Sequence, residues 1–445
     1  MSPTSFDWTT EVCTAEAKGE ILQCTSHTGA QGHIDFINII GVLSSTSSSR
    51  YQVLFFVRPE SENDEGLGYL ETTNIPSLPP SLSSFVVTLP DHLRHLEPVQ
   101  VIISTLSGTG TAQTVYRDIL SPFLSHLSIK HQVHETQSTQ TISELSESRF
   151  LERACSGTPQ TIILLSGDGG LVDILDVFYK STRAIQVPPH IALVPCGTGN
   201  AMASSIGLRS GPASSLKALL FGQPFPIPIF AATFSPGSQL VVDEGRKRVP
   251  VNSEPDASHC TIYGAVVASW GLHAALVADS DTVEYRKFGS ERFKMAAKEL
   301  LYPSDGTEPH RFQGKITFLN AHGQEEKIKD DEHMYVLASL VPRLEKDFLI
   351  SPDSEPLDGQ MRLLRFGPLP AEEAMRLMTL AYQGGQHVQQ KIVTYAAVEK
   401  IRIELQEDIE RWRRVCIDGK IVAVDKGGWM ELHKETRQLL QIVKP

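Results

Sequence analysis

Three apolar runs in the first half of the chain end in glycine turns. Val99-Gln-Val-Ile-Ile103 leads to Ser107-Gly108-Thr109-Gly110, and Thr161-Ile-Ile-Leu-Leu165 leads to Ser166-Gly167-Asp168-Gly169. His190-Ile-Ala-Leu-Val194 leads to Pro195-Cys196-Gly197-Thr198-Gly199-Asn200. Short, nearly continuous apolar runs predict strands buried on both faces. After the first two turns the period changes to that of a helix. Val115, Ile119, Leu120, Phe123, Leu124 and Leu127 form one stripe, and Leu171, Ile174, Leu175 and Phe178 form another. Strands alternating with helices predict a parallel sheet covered on both faces.

The flanks read differently. Residues 1–95 mix short β-like runs (Tyr51–Val57, Phe85–Leu89) with Ser-rich stretches at 44–49 and 77–84, which predicts a small β-rich N-terminal segment. Pro224, Pro226 and Pro228 close the α/β region. Beyond them, strand-like runs at 261–269, 313–319, 333–340, 361–366, 399–404 and 415–424 dominate. Amphipathic helices are expected at 290–301 and 370–383. The expected architecture is an α/β parallel-sheet nucleotide-binding domain at 96–228, followed by a mainly antiparallel β domain at 229–445. An active site would lie in the cleft between them.

Composition narrows the function classes. The 445 residues carry a formal net charge of −12, which argues against a nucleic-acid binder. Arg246-Lys247-Arg248 reads as a solvated loop. Six scattered cysteines without a C-x-x-C pair read as reduced thiols of an intracellular protein. No secretory signal is evident at the N-terminus, and the apolar stretch Phe225–Phe234 is short and broken by proline. The expectation is a cytoplasmic protein with peripheral contact to intracellular membranes, leaving oligomeric state open.

Glycine lets backbone N–H groups approach a phosphate without a Cβ in the way. None of the three turns is a Walker A loop, since no Gly-Lys-Ser/Thr follows, and none has the third glycine of a dinucleotide fingerprint. An aspartate inside one turn points to phosphoryl transfer rather than nucleotide binding alone.

The residues also resemble a family. Ser166-Gly-Asp-Gly-Gly-Leu-Val-Asp173 is similar to the G/S-G-D-G-x-x-x-E signature of the diacylglycerol kinase catalytic domain, shared with sphingosine and ceramide kinases. Pro195-Cys-Gly-Thr-Gly-Asn-Ala-Met-Ala203 resembles that family's P-x-G-S/T-G-N-x-x-A block, and Ser107-Gly-Thr-Gly110 falls at its N-P-x-S-G-x-G loop. Trp270-Gly-Leu, Asp279-Ser-Asp281, Tyr285-Arg-Lys-Phe-Gly289 and Glu291-Arg-Phe293 resemble a sphingosine-kinase block. Leu357-Asp-Gly359 and Ile417-Asp-Gly-Lys420 resemble the D-G turn and the late V-D-G-E element. The resemblance runs over about residues 98–430 and implies the NAD kinase/diacylglycerol kinase type of fold.

It also implies roles. Asp168 would be the general base on a lipid hydroxyl. Ser107, Gly108, Gly110, Gly167, Gly169, Gly197, Thr198, Gly199 and Asn200 would line the ATP, with Arg286, Arg292, Asp418 and Gly419. Asp279, Asp281 and Trp270 would meet the lipid, and Mg²⁺ would accompany the nucleotide. The activity implied is an ATP-dependent lipid kinase acting on a sphingoid long-chain base. Alternatives are a diacylglycerol or ceramide kinase, an NAD kinase-like enzyme, or a non-catalytic nucleotide- or lipid-binding protein. Departures are Gly170 for Thr or Leu, Asp173 and Lys420 for glutamates, Ser104 and Thr105 for the first loop's Asn-Pro, and Val283 at the second headgroup acid.

Overall fold

The computed structural model describes residues 6–44, 50–58, 67–94, 97–105, 108, 110–209, 211–251, 260–289 and 291–445. The side chains of Val283 and Arg286 lie outside that description.

The apolar runs form the expected parallel sheet. Its six strands are ordered Gln223–Pro226, Gln441–Lys444, His190–Pro195, Thr161–Ser166, Val99–Ile103 and His131–Glu135. The three predicted strands are central and run parallel. Their side chains are buried almost throughout, as a sheet covered on both faces requires. The apolar stripe of the second helical segment becomes the helix Asp168–Lys180, which buries Leu171, Ile174, Leu175 and Phe178.

Three strands of this sheet were not expected from the sequence. His131–Glu135 is a mostly polar edge strand. Gln441–Lys444 returns from the far end of the chain to lie beside His190–Pro195. Its other neighbour is the proline-containing strand Gln223–Pro226, placed at the sheet edge where missing N–H groups do least harm.

The second half builds a large sheet in which the resolved strand pairings are antiparallel, including Cys260–Gly264, Val267–Gly271, Phe312–Asn320, Tyr335–Ser339, Arg362–Phe366 and Val393–Leu405. Helices Leu272–Asp279, Glu291–Leu301 and Ala371–Tyr382 accompany it. The N-terminal segment contains two three-stranded antiparallel sheets sharing a core with Phe6, Trp8, Val53 and Phe55. Phe85–Leu89, read as a strand, makes only a single bridge from Val86 to Val42, because it lies between the 3₁₀ turn Pro80–Phe85 and Pro90.

The two larger units meet along the helix Asp168–Lys180 and the strand Cys260–Gly264. Tyr263 N–H donates to Asp176 Oδ1 at 3.3 Å, and the Tyr179 and Tyr263 rings lie 5.3 Å apart. Among the described residues, no helix is long and apolar enough to cross a membrane.

Candidate active site

Parallel register brings the glycine turns to one sheet edge. Ser166 is opposite Pro195 and Ile103 is opposite Leu165, so the strands end together. The turns then pack backbone against backbone. A Cβ on Gly197 would strike Gly167 Cα, one on Gly108 would strike the Cys196 carbonyl, and one on Gly167 would come within 2.8 Å of the Gly199 carbonyl. Gly169 and Gly199 face more open space. Gly110 also has open space but a φ of +75°, which favours glycine. Ser107 lies outside the described residues.

Asp168 is the first residue of its helix and sits where the two turns touch. Its N–H donates to the Gly199 carbonyl at 3.2 Å. Its carboxylate accepts from the N–H groups of Ala201 at 2.6 Å and Met202 at 3.0 Å. The aspartate of the first turn therefore caps the helix Ala201–Ser205 that opens after the second. Burial raises its pKa, and the two backbone donors pull back only in part. Each oxygen retains a further lone pair, so a fixed carboxylate with increased proton affinity can still accept a proton. That combination suits a general base.

Asn200 shapes its own turn. Gly197 N–H donates to Oδ1 at 3.1 Å, while Nδ2 donates to the Gly197 carbonyl at 2.7 Å. Arg292 reaches the turn from the helix Glu291–Leu301. Its Nη2 lies 3.5 Å from Thr198 Oγ1, and its Nη1 lies 3.6 Å from Asp281. A cation is thus delivered to the glycine edge from the other half of the chain, 94 positions away. Arg286 closes the short helix Val283–Arg286.

Asp418 and Gly419 form the two-residue turn of a hairpin, with Ile417 opposite Lys420. Both have positive φ, 47° and 90°, the geometry an Asp-Gly hairpin turn needs. The Asp418 carboxylate accepts N–H groups from Ala265 at 2.6 Å, Val266 at 3.1 Å and Val267 at 2.6 Å. Burial nevertheless pushes its pKa up to about 7 against those donors, and the charge of Asp168 adds to the rise. The two carboxylates are therefore near enough for their charges to interact.

Two lipid-facing expectations are revised. Trp270 is a core residue with no exposed surface, packed on Phe312 and His333 and donating its Nε1–H to the Trp412 carbonyl. Asp279 is held by two guanidiniums, Arg411 at 2.7 Å and Arg414 at 2.6 Å, so its charge is already matched. Arg411 and Arg414 carried no sequence signal, because nothing local ties them to residue 279. Asp281, by contrast, is half-buried beside Arg292.

The departures have local partners. A Cβ at Gly170 would come within 2.5 Å of Ser166 Oγ and 3.2 Å of Ile142 Cδ1, so this site has no room for a larger residue. Lys420 pairs with Asp176 at 2.5 Å and with Asp173 at 3.3 Å.

Residues 98–232 match the diacylglycerol kinase catalytic domain. The chain is 21% identical over 380 residues to a protein of Arabidopsis thaliana named sphingosine kinase 2, covering 76% of this chain and 71% of that one. It is also 21% identical over 279 residues to the Homo sapiens protein named sphingosine kinase 2, covering 60% of this chain and 36% of the human protein. Two solved structures from Bacillus anthracis str. Sterne, described as candidate diacylglycerol kinases, share the fold. One superposes with TM-score 0.53 at 17% identity and the other with 0.52 at 16%, each covering 78% of this chain and 97% of theirs. These matches support a lipid kinase in which residues 98–232 are similar to the diacylglycerol kinase catalytic domain.

Proposed function

We propose that this lipid kinase transfers the γ-phosphate of ATP to the hydroxyl of a sphingoid long-chain base. The observation that carries the chemistry is the position of Asp168. It lies at the junction of two interlocked glycine turns, anchored by two N–H groups and biased by burial toward holding a proton. The base removes the lipid hydroxyl proton as the oxygen attacks phosphorus, and ADP leaves. The turns at 108–110, 167–169 and 197–200 cradle the phosphates, and Arg292 stabilises their charge from the opposite side.

The sphingoid base is supported by the two relatives named sphingosine kinase 2 and by an acidic residue on the headgroup side. We assign the protonated amine to Asp281, the more exposed of the two acids, which meets Arg292 at 3.6 Å, whereas Asp279 is held more tightly by Arg411 and Arg414 at 2.7 and 2.6 Å. The tail would enter the β domain by peripheral contact with a bilayer. Magnesium would accompany the ATP phosphates and neutralise their charge. Asp168 and Asp418 already accept backbone N–H groups, and among the described residues no three His, Cys, Asp or Glu side chains converge on a point. No step is therefore assigned to a metal held by the protein.

The test is phosphate transfer from labelled ATP to sphingosine, phytosphingosine, ceramide, diacylglycerol and NAD, each presented in parallel. Preferred transfer to the two sphingoid bases is expected. Preference for diacylglycerol, ceramide or NAD would replace the substrate assignment and leave the lipid-kinase fold unaffected.

A further inference from the structure

Two positions that depart from the sphingosine-kinase pattern meet in space with opposite charges. Asp173 and Lys420 each stand where that pattern has a glutamate. Lys420 Nζ lies 2.5 Å from Asp176 Oδ2 and 3.3 Å from Asp173 Oδ1, and all three side chains are largely buried. Lys180 approaches Asp176 more loosely, at 3.8 Å, and the other Asp176 oxygen accepts the Tyr263 N–H. Burial works against the Lys420 ammonium, and Asp176 and Asp173 together outweigh it, so the charged form is favoured. A glutamate at 420 would instead crowd three carboxylates into one poorly solvated place.

The cluster joins the two halves of the chain at a telling position. Asp173 and Asp176 lie on the helix that begins at Asp168, while Lys420 ends the hairpin turn that carries Asp418. A helix is stiff along its axis, so fixing its second and third turns fixes its first residue. We propose that Lys420 is a positioning residue for phosphoryl transfer. By clamping Asp173 and Asp176 it holds the Asp168 helix against the Asp418 turn and sets the spacing of the two carboxylates. The kinetic part of this inference rests on Asp168 being the base; the geometric part does not.

The experiment uses the full chain as wild type, Lys420→Met, Lys420→Arg, and the charge exchange Asp173→Lys with Lys420→Asp. Three readouts are taken: kcat and KM with ATP and sphingosine, thermal midpoint, and amide exchange at Ala201, Met202 and Ala265–Val267. Those amides report the Asp168 and Asp418 hydrogen bonds directly. Lys420→Met should lower kcat about tenfold or more with the lipid KM nearly unchanged, since small misplacement of a reacting group is costly. It should also speed exchange at both sets of amides. Lys420→Arg should keep most of kcat, and the charge exchange should recover several-fold over Lys420→Met. A Lys420→Met enzyme with wild-type kcat and exchange, or with a kcat loss matched by the fraction unfolded, overturns the proposal. If the wild type transfers no phosphate to any lipid, the proposed function fails and exchange alone decides. Faster exchange at both amide sets then supports the clamp, and unchanged exchange rejects it.

Discussion

The glycine-turn edge and the 270–293 segment meet where Arg292 reaches Thr198, yet they are held in place by different means. At the edge, backbone packs on backbone: Gly167 against Gly197, Gly108 against the Cys196 carbonyl, and Asp168 on the amides of Ala201 and Met202. In the 270–293 segment, a distant stretch does the placing. The Trp412 carbonyl holds Trp270, and the Arg411 and Arg414 side chains hold Asp279. The first arrangement leaves little freedom of residue type at Gly108, Gly167 and Gly197, where a Cβ would displace a partner loop. The second can be retuned by changing one member of an ion pair. A phosphate site built the first way and a headgroup site built the second can hold the reaction constant while the acceptor varies.

That contrast breaks first at Gly197. Gly197→Ala should weaken ATP binding roughly tenfold to a hundredfold by titration calorimetry, since overpacking at this point costs about 1–3 kcal/mol. Retained affinity would mean the two turns are not interlocked in solution. Arg292→Ala should raise the KM for ATP about tenfold, the scale of one charge-assisted hydrogen bond, with the thermal midpoint little changed. A defect confined to the lipid KM would move Arg292 to the headgroup side.

Within the 270–293 segment, the two acids should separate. Asp281→Asn should lower kcat/KM for sphingosine several-fold, about 1 kcal/mol, while sparing the ATP KM. Asp279→Asn should leave sphingosine kinetics near wild type and cost about 1 kcal/mol of stability in urea, because its partners are partly exposed. The reverse pattern would restore Asp279 as the amine contact.

The smallest effect is one of pH. Burial lifts Asp418 to about 7 in the folded chain, above its unfolded value of 3.8. A raised pKa means its contribution to stability is fully present below the unfolded value and is lost as pH rises through about 7. Urea midpoints between pH 5 and 8 should therefore fall less steeply in Asp418→Asn than in the wild type. Equal slopes would show that Asp418 is ionised throughout.

What could be read from the chain follows the same division. The three central strands and their glycine turns were legible because each depends on local backbone geometry, whereas the run 415–424, read as one strand, is divided into a hairpin at Asp418-Gly419. His131–Glu135 was not, since a polar edge strand carries no apolar run, and Gln441–Lys444 gave no hint that it returns to the first sheet. Trp270 was misplaced toward the lipid because a tryptophan beside a glycine reads alike in a core and in a pocket. The pairing of Asp279 was not legible because its arginines lie over 130 positions away. The opposite charges of Asp173 and Lys420 were visible in the sequence. Their meeting required the fold.

The most direct measurement compares wild type with Asp168→Asn for transfer of labelled phosphate from ATP to sphingosine, with ATP affinity and thermal midpoint recorded alongside. A positioned base contributes about 10²–10⁴-fold, and the asparagine keeps the shape of the turn. Turnover should fall by about that factor while ATP binding persists. Undiminished turnover in Asp168→Asn, with the variant folded and ATP bound, would contradict the assignment of the base.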